Sequence, residues 1–168
     1  MILIIAYGNT LREDDGAGLV LAEKLESLLR RFAIDVHRVE VQQLLPELAA
    51  EIAGHQPDGV VFVDTRVAIA YDEAVSVQPV PVDSNSSPSL GHQLTPATVL
   101  AYTGALFDAV EQPAWLVTVP GWQFGFGEDL STNSEKAIFH ALNDSKSQLQ
   151  QLVDAVRQLS TNRHNGVP

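Results

Sequence analysis

Residues 6–18 read AYGNTLREDDGAG. The apolar run MILIIAY stops at Gly8, and a leucine-rich segment follows Gly18. The run has strand length and almost no polar residue, the pattern of a strand buried on both faces. From residue 16 to 32 the period changes: Leu21, Leu25, Leu28 and Phe32 recur at helical spacing, with Glu23, Lys24 and Glu26 between them. The quoted stretch is therefore a strand-to-helix turn that carries two adjacent aspartates. Asp14 and Asp15 each have an ordinary role open to them, as N-cap or as first-turn acid. Adjacent side chains do not easily reach one target, so one can cap while the other faces a site.

The rest of the chain repeats the alternation. IDVHRVEV (34–41) alternates as a half-buried strand. LLPELAAEIAG (44–54) reads as a short helix with Pro46 in its first turn and Gly54 as its stop. DGVVFVD (58–64) is a second buried strand, ending on Asp64, and TRVAIAYDE is a loop. AVSVQPVPV (74–82) is a strand that its prolines confine to an edge. DSNSSPSLGH (83–92) is a polar loop. TPATVLAYTGALFDA (95–109) is a helix with Thr95 as N-cap and Pro96 at its first position. AWLVTVP (114–120) is a third buried strand, and GWQFGFGEDLS (121–131) is a glycine-rich loop. Residues 132–160 carry Leu149, Leu152, Val153, Val156 and Leu159 on one helical face, with a break near Asn143-Asp144.

Alternating strands and helices predict a three-layer α/β/α sandwich around a twisted, mostly parallel five-stranded sheet. The 168 residues suit one domain, placed at 1–160, with 161–168 as a frayed tail. The formal charge of −11 argues against nucleic acid and against an anionic membrane as partners. With no cysteine, any metal must be held by Asp, Glu and His. The first apolar run is too short to span a bilayer and lacks the flanks of a signal peptide, so the expected place is the cytoplasm. Nothing in the sequence demands more than a monomer.

In parallel sheets, ligands bind beyond the carboxyl ends of the strands. Asp14, Asp15 and Asp64 all fall there, and His92 precedes a helix whose N-terminus can face the same edge. Two carboxylates and one imidazole suit a borderline divalent ion such as nickel or zinc. His37, His55, His140 and His164 read as ordinary surface or half-buried histidines. The turn lacks G-x-G-x-x-G spacing, and its acids would repel a pyrophosphate, so it is not a dinucleotide loop.

Gly8-Asn9, Leu11 and Asp14-Asp15-Gly16-x-Gly18 after a first apolar strand resemble the opening motif of the hydrogenase maturation endopeptidases. The resemblance continues at VVFVDTR and SLGHQLTP and ends at GWQFGFGEDLS, four motifs in order over most of the chain. It implies a cytoplasmic protease that removes a short C-terminal peptide from the nickel-loaded precursor of a [NiFe] hydrogenase large subunit. It also implies that Asp15, Asp64 and His92 recognise the nickel, with Asp15 and Asp64 as catalytic carboxylates and Asp14 as the capping or orienting acid. The nickel would come with the substrate, and other divalent ions would be able to occupy the site. The family often has glutamate where this chain has Asp15, one methylene shorter. TRVAIAYDE and SLGHQLTP are similar to members serving cytoplasmic bidirectional, NAD(P)-linked hydrogenases. Trp122, Phe124 and Phe126 read either as a peptide-docking rim or as packing for their loop.

The rival from another class is a receiver-like domain, or a non-catalytic metal- or partner-binding module of the same fold. A receiver needs a lysine at the end of its last strand to pair with phosphoryl oxygens. VTVPGWQ has none, and Lys24, Lys136 and Lys146 all fall in predicted helices.

Overall fold

The computed structural model describes residues 1–81, 94–109 and 111–165. Among them, five strands form one sheet in the order β2-β1-β3-β5-β4. The strands are β1 (Ile2–Tyr7), β2 (Val36–Val41), β3 (Gly59–Val67), β4 (Ser76–Pro79) and β5 (Ala114–Gly121). β1, β2, β3 and β5 run parallel, and β4 pairs antiparallel with β5 at the edge. The helices are α1 (Ala17–Arg31), α2 (Leu48–His55), α3 (Pro96–Phe107), α4 (Thr132–Asn143) and α5 (Gln148–Asn165).

The continuous apolar runs of β1 and β3 are buried on both faces, as a parallel sheet requires. Alternate residues feed two cores. Ile2, Ile4, Val61 and Val63 pack with Leu21 of α1, Ile138 of α4 and Leu152 of α5. Leu3, Ile5, Val60 and Phe62 pack with Leu48 and Ile52 of α2 and with Val99 and Leu100 of α3. The three-layer expectation holds. The prolines do place β4 at an edge, and the outward Val77 N–H is taken by the Gln148 side chain at 2.7 Å.

Several boundaries differ from the sequence reading: β2 and β4 are shorter than expected, and α5 runs to Asn165, past the expected start of the tail at 161. α2 begins at Leu48, because Pro46 lies in the turn ahead of it. It runs through Gly54 and ends where Gln56 turns left-handed (φ 45°), so that Gly54 is not its stop. β3 does not end on Asp64: β1 pairs with it as far as Val63, but β5 continues to pair with it through Val67. The start of TRVAIAYDE is therefore strand. Thr95 caps α3 as expected, its hydroxyl accepting the Thr98 N–H at 3.2 Å. The break between α4 and α5 also falls where the sequence places it.

Strand order reverses between β1 and β3, since β2 lies on one side of β1 and β3 on the other. That crevice is where open α/β sheets bind ligands. Here α1 starts hard against β3. A Cβ on Gly18 would lie 2.9 Å from the Asp64 carbonyl carbon and 3.0 Å from its Cα. Both neighbours are backbone, so neither can rotate away. Gly18→Ala should cost about 1–3 kcal/mol through overpacking, read as a lower urea midpoint at unchanged m-value.

Candidate functional site

The turn after β1 is built by its own side chains. Asn9 Oδ1 accepts the Leu11 N–H at 3.0 Å, and the Asn9 carbonyl accepts the Arg12 N–H at 3.1 Å. The chain then enters a short 3₁₀ turn at Glu13–Gly16. Asp15 Oδ2 accepts the Asn9 N–H at 3.1 Å, which fixes one of its oxygens. Gly8 makes the reversal possible, because at its φ of +149° a Cβ would fall 2.2 Å from the Asp15 carbonyl oxygen.

Asp64 comes from β3 beside this turn. Its Oδ1 accepts the Thr65 N–H at 2.7 Å, and the Tyr7 hydroxyl donates to its carboxylate. Burial pushes the Asp64 carboxyl up to about 6; the two hydrogen bonds oppose the rise and the charge of Asp15 adds to it. Burial and the Asp64 charge in turn raise the Tyr7 hydroxyl, so it stays a donor. Thr65 locks the two elements together: its hydroxyl accepts the Gly18 N–H at 2.9 Å and reaches the Asp15 carbonyl at 3.4 Å. Asp15 and Asp64 are thus brought together at the switch point. His92 lies outside the described residues.

Asp14 does something else. Neither the 3₁₀ turn nor α1 takes a side-chain cap, so the capping role expected for Asp14 does not hold. Its side chain is fully buried and faces the loop after β5. Oδ2 accepts the N–H groups of Trp122 and Gln123 at 2.7 and 2.9 Å and the Ser131 hydroxyl at 2.7 Å, while Oδ1 accepts the Ser131 N–H at 2.7 Å. Ser131 is also the N-cap of α4, its hydroxyl accepting the Ser134 N–H at 3.2 Å. Burial alone would raise the Asp14 carboxyl, but these four bonds outweigh it and hold it below the usual carboxylate range. Glu13 adds a further tie, accepting the Gly125 N–H at 2.8 Å. Sequence reading missed Tyr7, Thr65 and this use of Ser131. A serine directly ahead of a helical run was the one local signal for the last.

Two of the three aromatic residues of the 121–131 loop hold that loop in place, and the third stays exposed. The Trp122 indole N–H donates to the Ala70 carbonyl at 3.0 Å, and Phe124 packs over Gly121. Phe126 is 98 % exposed. Leu11 on the turn, Val67 at the end of β3 and Ile69 and Tyr71 on the loop after it are exposed as well. Glu73 shapes that second loop by accepting the Ala70 and Ile69 N–H groups and pairing with Arg66. A groove of about 600 Å³ lined by Tyr71, Trp122, Lys136 and His140 lies to one side and does not include Asp15 or Asp64.

No family model and no curated protein matches the sequence. Solved structures do. A [NiFe] hydrogenase maturation protease HycI from Thermococcus kodakarensis is similar over 95 % of this chain and 92 % of its own, with a TM-score of 0.59 and 20 % identity. The hydrogenase maturating endopeptidase HybD from E. coli is similar over 94 % of this chain and 92 % of its own, with a TM-score of 0.62 and 20 % identity. The chain shares their fold. A hydrogenase 2 maturation peptidase from a Thaumarchaeota archaeon, at 16 % identity and a TM-score of 0.58, has it too. Among the described residues no helix is long and apolar enough to cross a membrane.

Asp14→Ala would leave three backbone N–H groups without their acceptor. We expect a loss of about 3–5 kcal/mol at pH 7 in chemical unfolding. The folded carboxyl lies below its unfolded value of about 3.9, so its contribution is complete above that pH and is lost as pH falls through the folded value. The gap between wild type and variant should therefore narrow in acid.

Proposed function

We propose that the protein is an endopeptidase that removes a short C-terminal peptide from the nickel-loaded precursor of a [NiFe] hydrogenase large subunit. The observation that carries this reading is the meeting of Asp15 and Asp64 at the switch point of a fold shared, nearly end to end, with hydrogenase maturation proteases. Nickel belongs to the substrate in this reading. Asp15 and Asp64 offer it carboxylate oxygens, and His92 is the expected nitrogen donor.

Hydrolysis needs a base to take a proton from water as its oxygen attacks the peptide carbonyl, and an acid to return a proton to the departing amine. A carboxyl raised by burial and by a neighbouring charge, as Asp64 is, can serve both steps near neutrality. Tyr7 and Thr65 orient that carboxyl. The exposed Leu11, Val67, Ile69, Tyr71 and Phe126 supply apolar surface for a folded protein substrate around the site.

The receiver-like reading loses support on two counts. β5 lies between β3 and an antiparallel β4, whereas receiver-type sheets run parallel in the order 2-1-3-4-5. Lys24 and Lys136 lie on α1 and α4, and Lys146 lies in the turn between α4 and α5 rather than in a helix as expected. None is on β5.

The test is a processing assay followed by mass spectrometry. Precursor from the same organism is mixed with the protein, with and without nickel loaded. Loss of a short C-terminal peptide is expected only from the nickel-loaded form. Asp15→Asn and Asp64→Asn should each slow it by about 10²–10⁴-fold. A precursor verified to carry nickel, bound by the protein yet never shortened, would leave a non-catalytic binding module instead.

A further inference from the structure

The end of the sheet opposite the carboxylate pair holds a second cluster of ligating groups. His37 is the second residue of β2, and Glu51 and His55 stand one helical turn apart on α2. α2 runs back across the sheet, so its last turn meets the start of β2. One donor atom from each of the three residues lies within 4.8 Å of the others. The two imidazole ring centroids lie 4.3 Å apart, with the ring planes tilted by 34°. His55 Nε2 lies 3.3 Å from Glu51 Oε2.

That 3.3 Å is long for a charge-assisted hydrogen bond, which closes to about 2.7–2.9 Å. It matches the separation of about 3.3–3.4 Å between two donors held at 2.0–2.1 Å from a common tetrahedral ion. A donor atom of His37 lies within 4.8 Å of one from each of the other two, and all three side chains have the freedom to close in: Glu51 and His55 are exposed and His37 is half-buried. The setting also favours a cation. His55 lies in the last turn of α2, where carbonyl groups leave partial negative charge, and the chain carries a formal charge of −11.

We propose that His37, Glu51 and His55 form a metal site for a borderline divalent transition ion such as zinc, separate from the carboxylate pair. Two imidazole nitrogens and one carboxylate oxygen fill three of four tetrahedral positions and leave the fourth for water. The nitrogen donors select against magnesium and calcium. Bound there, the ion ties the C-terminal end of α2 to an edge strand. Nothing in this site depends on the proposed protease activity.

Zinc chloride added to the full chain at pH 7.5 is the test. The ion at a hundredfold excess over its Kd should raise the Tm by about 5–10 °C. The rise should persist in an Asp15→Asn/Asp64→Asn variant and vanish in His37→Gln/His55→Gln. Glu51→Gln should weaken zinc binding by at least the roughly tenfold that losing an outer-shell partner costs. NMR of the unmodified protein gives a reading that needs no variant: zinc should move the imidazole C–H signals of His37 and His55 and leave those of His140 in place. Unmoved His37 and His55 signals, or an undiminished Tm rise in the double histidine variant, would overturn the proposal.

Discussion

The buried carboxylate of Asp14 is the fixed point around which the carboxyl edge of this sheet is arranged. It sits one residue before Asp15 and receives four hydrogen bonds from the far half of the chain. Burying a charge costs several kcal/mol unless its oxygens are satisfied. Here they are satisfied mainly by backbone N–H groups that helix or sheet pairing leaves free. One ion thereby determines the path of the 122–131 loop, the start of α4 and the orientation of the turn after β1. The Asp15 and Asp64 side chains are left free of that structural task.

Close approach supplies the second constraint. Gly8 lets the chain reverse tightly over Asp15, and Gly18 lets α1 touch the Asp64 backbone. Thr65 closes the remaining space with hydrogen bonds to both elements. The two carboxylates are near each other because the backbones that carry them are in contact. Burial is the main reason the Asp64 carboxyl is raised, and the charge of Asp15 adds a smaller electrostatic cost. Such a cost is usual where charge is gathered for binding or chemistry rather than for stability.

The parts of the fold that could be read from the chain are those whose reason is local. β1 and β3 are legible because burial on both faces demands unbroken apolar runs, and β5 because its run is nearly so. The Thr95 cap is legible because its partner is three residues away. The misread features have distant causes. β3 outlasts Asp64 because β5, absent from any local window, continues to pair with it. Asp14 looks like a helix cap until Ser131 is seen beside it in space. His37 and His55 each look ordinary, and only the return of α2 across the sheet brings their rings together. The placement of Asp15 and Asp64 was legible because the rule for parallel sheets depends on topology alone.

The Asp14 bonds span 108, 109 and 117 residues of chain. During synthesis, the first strand, the turn and both carboxylates of the pair emerge long before Trp122 and Ser131 do. Until then Asp14 has none of these partners, and β3 lacks the neighbour that carries it past Asp64. The order of manufacture therefore keeps the edge unfinished while the chain is being made. It is completed only when the C-terminal third folds back, so a prematurely terminated product would carry the acids without the frame that positions them.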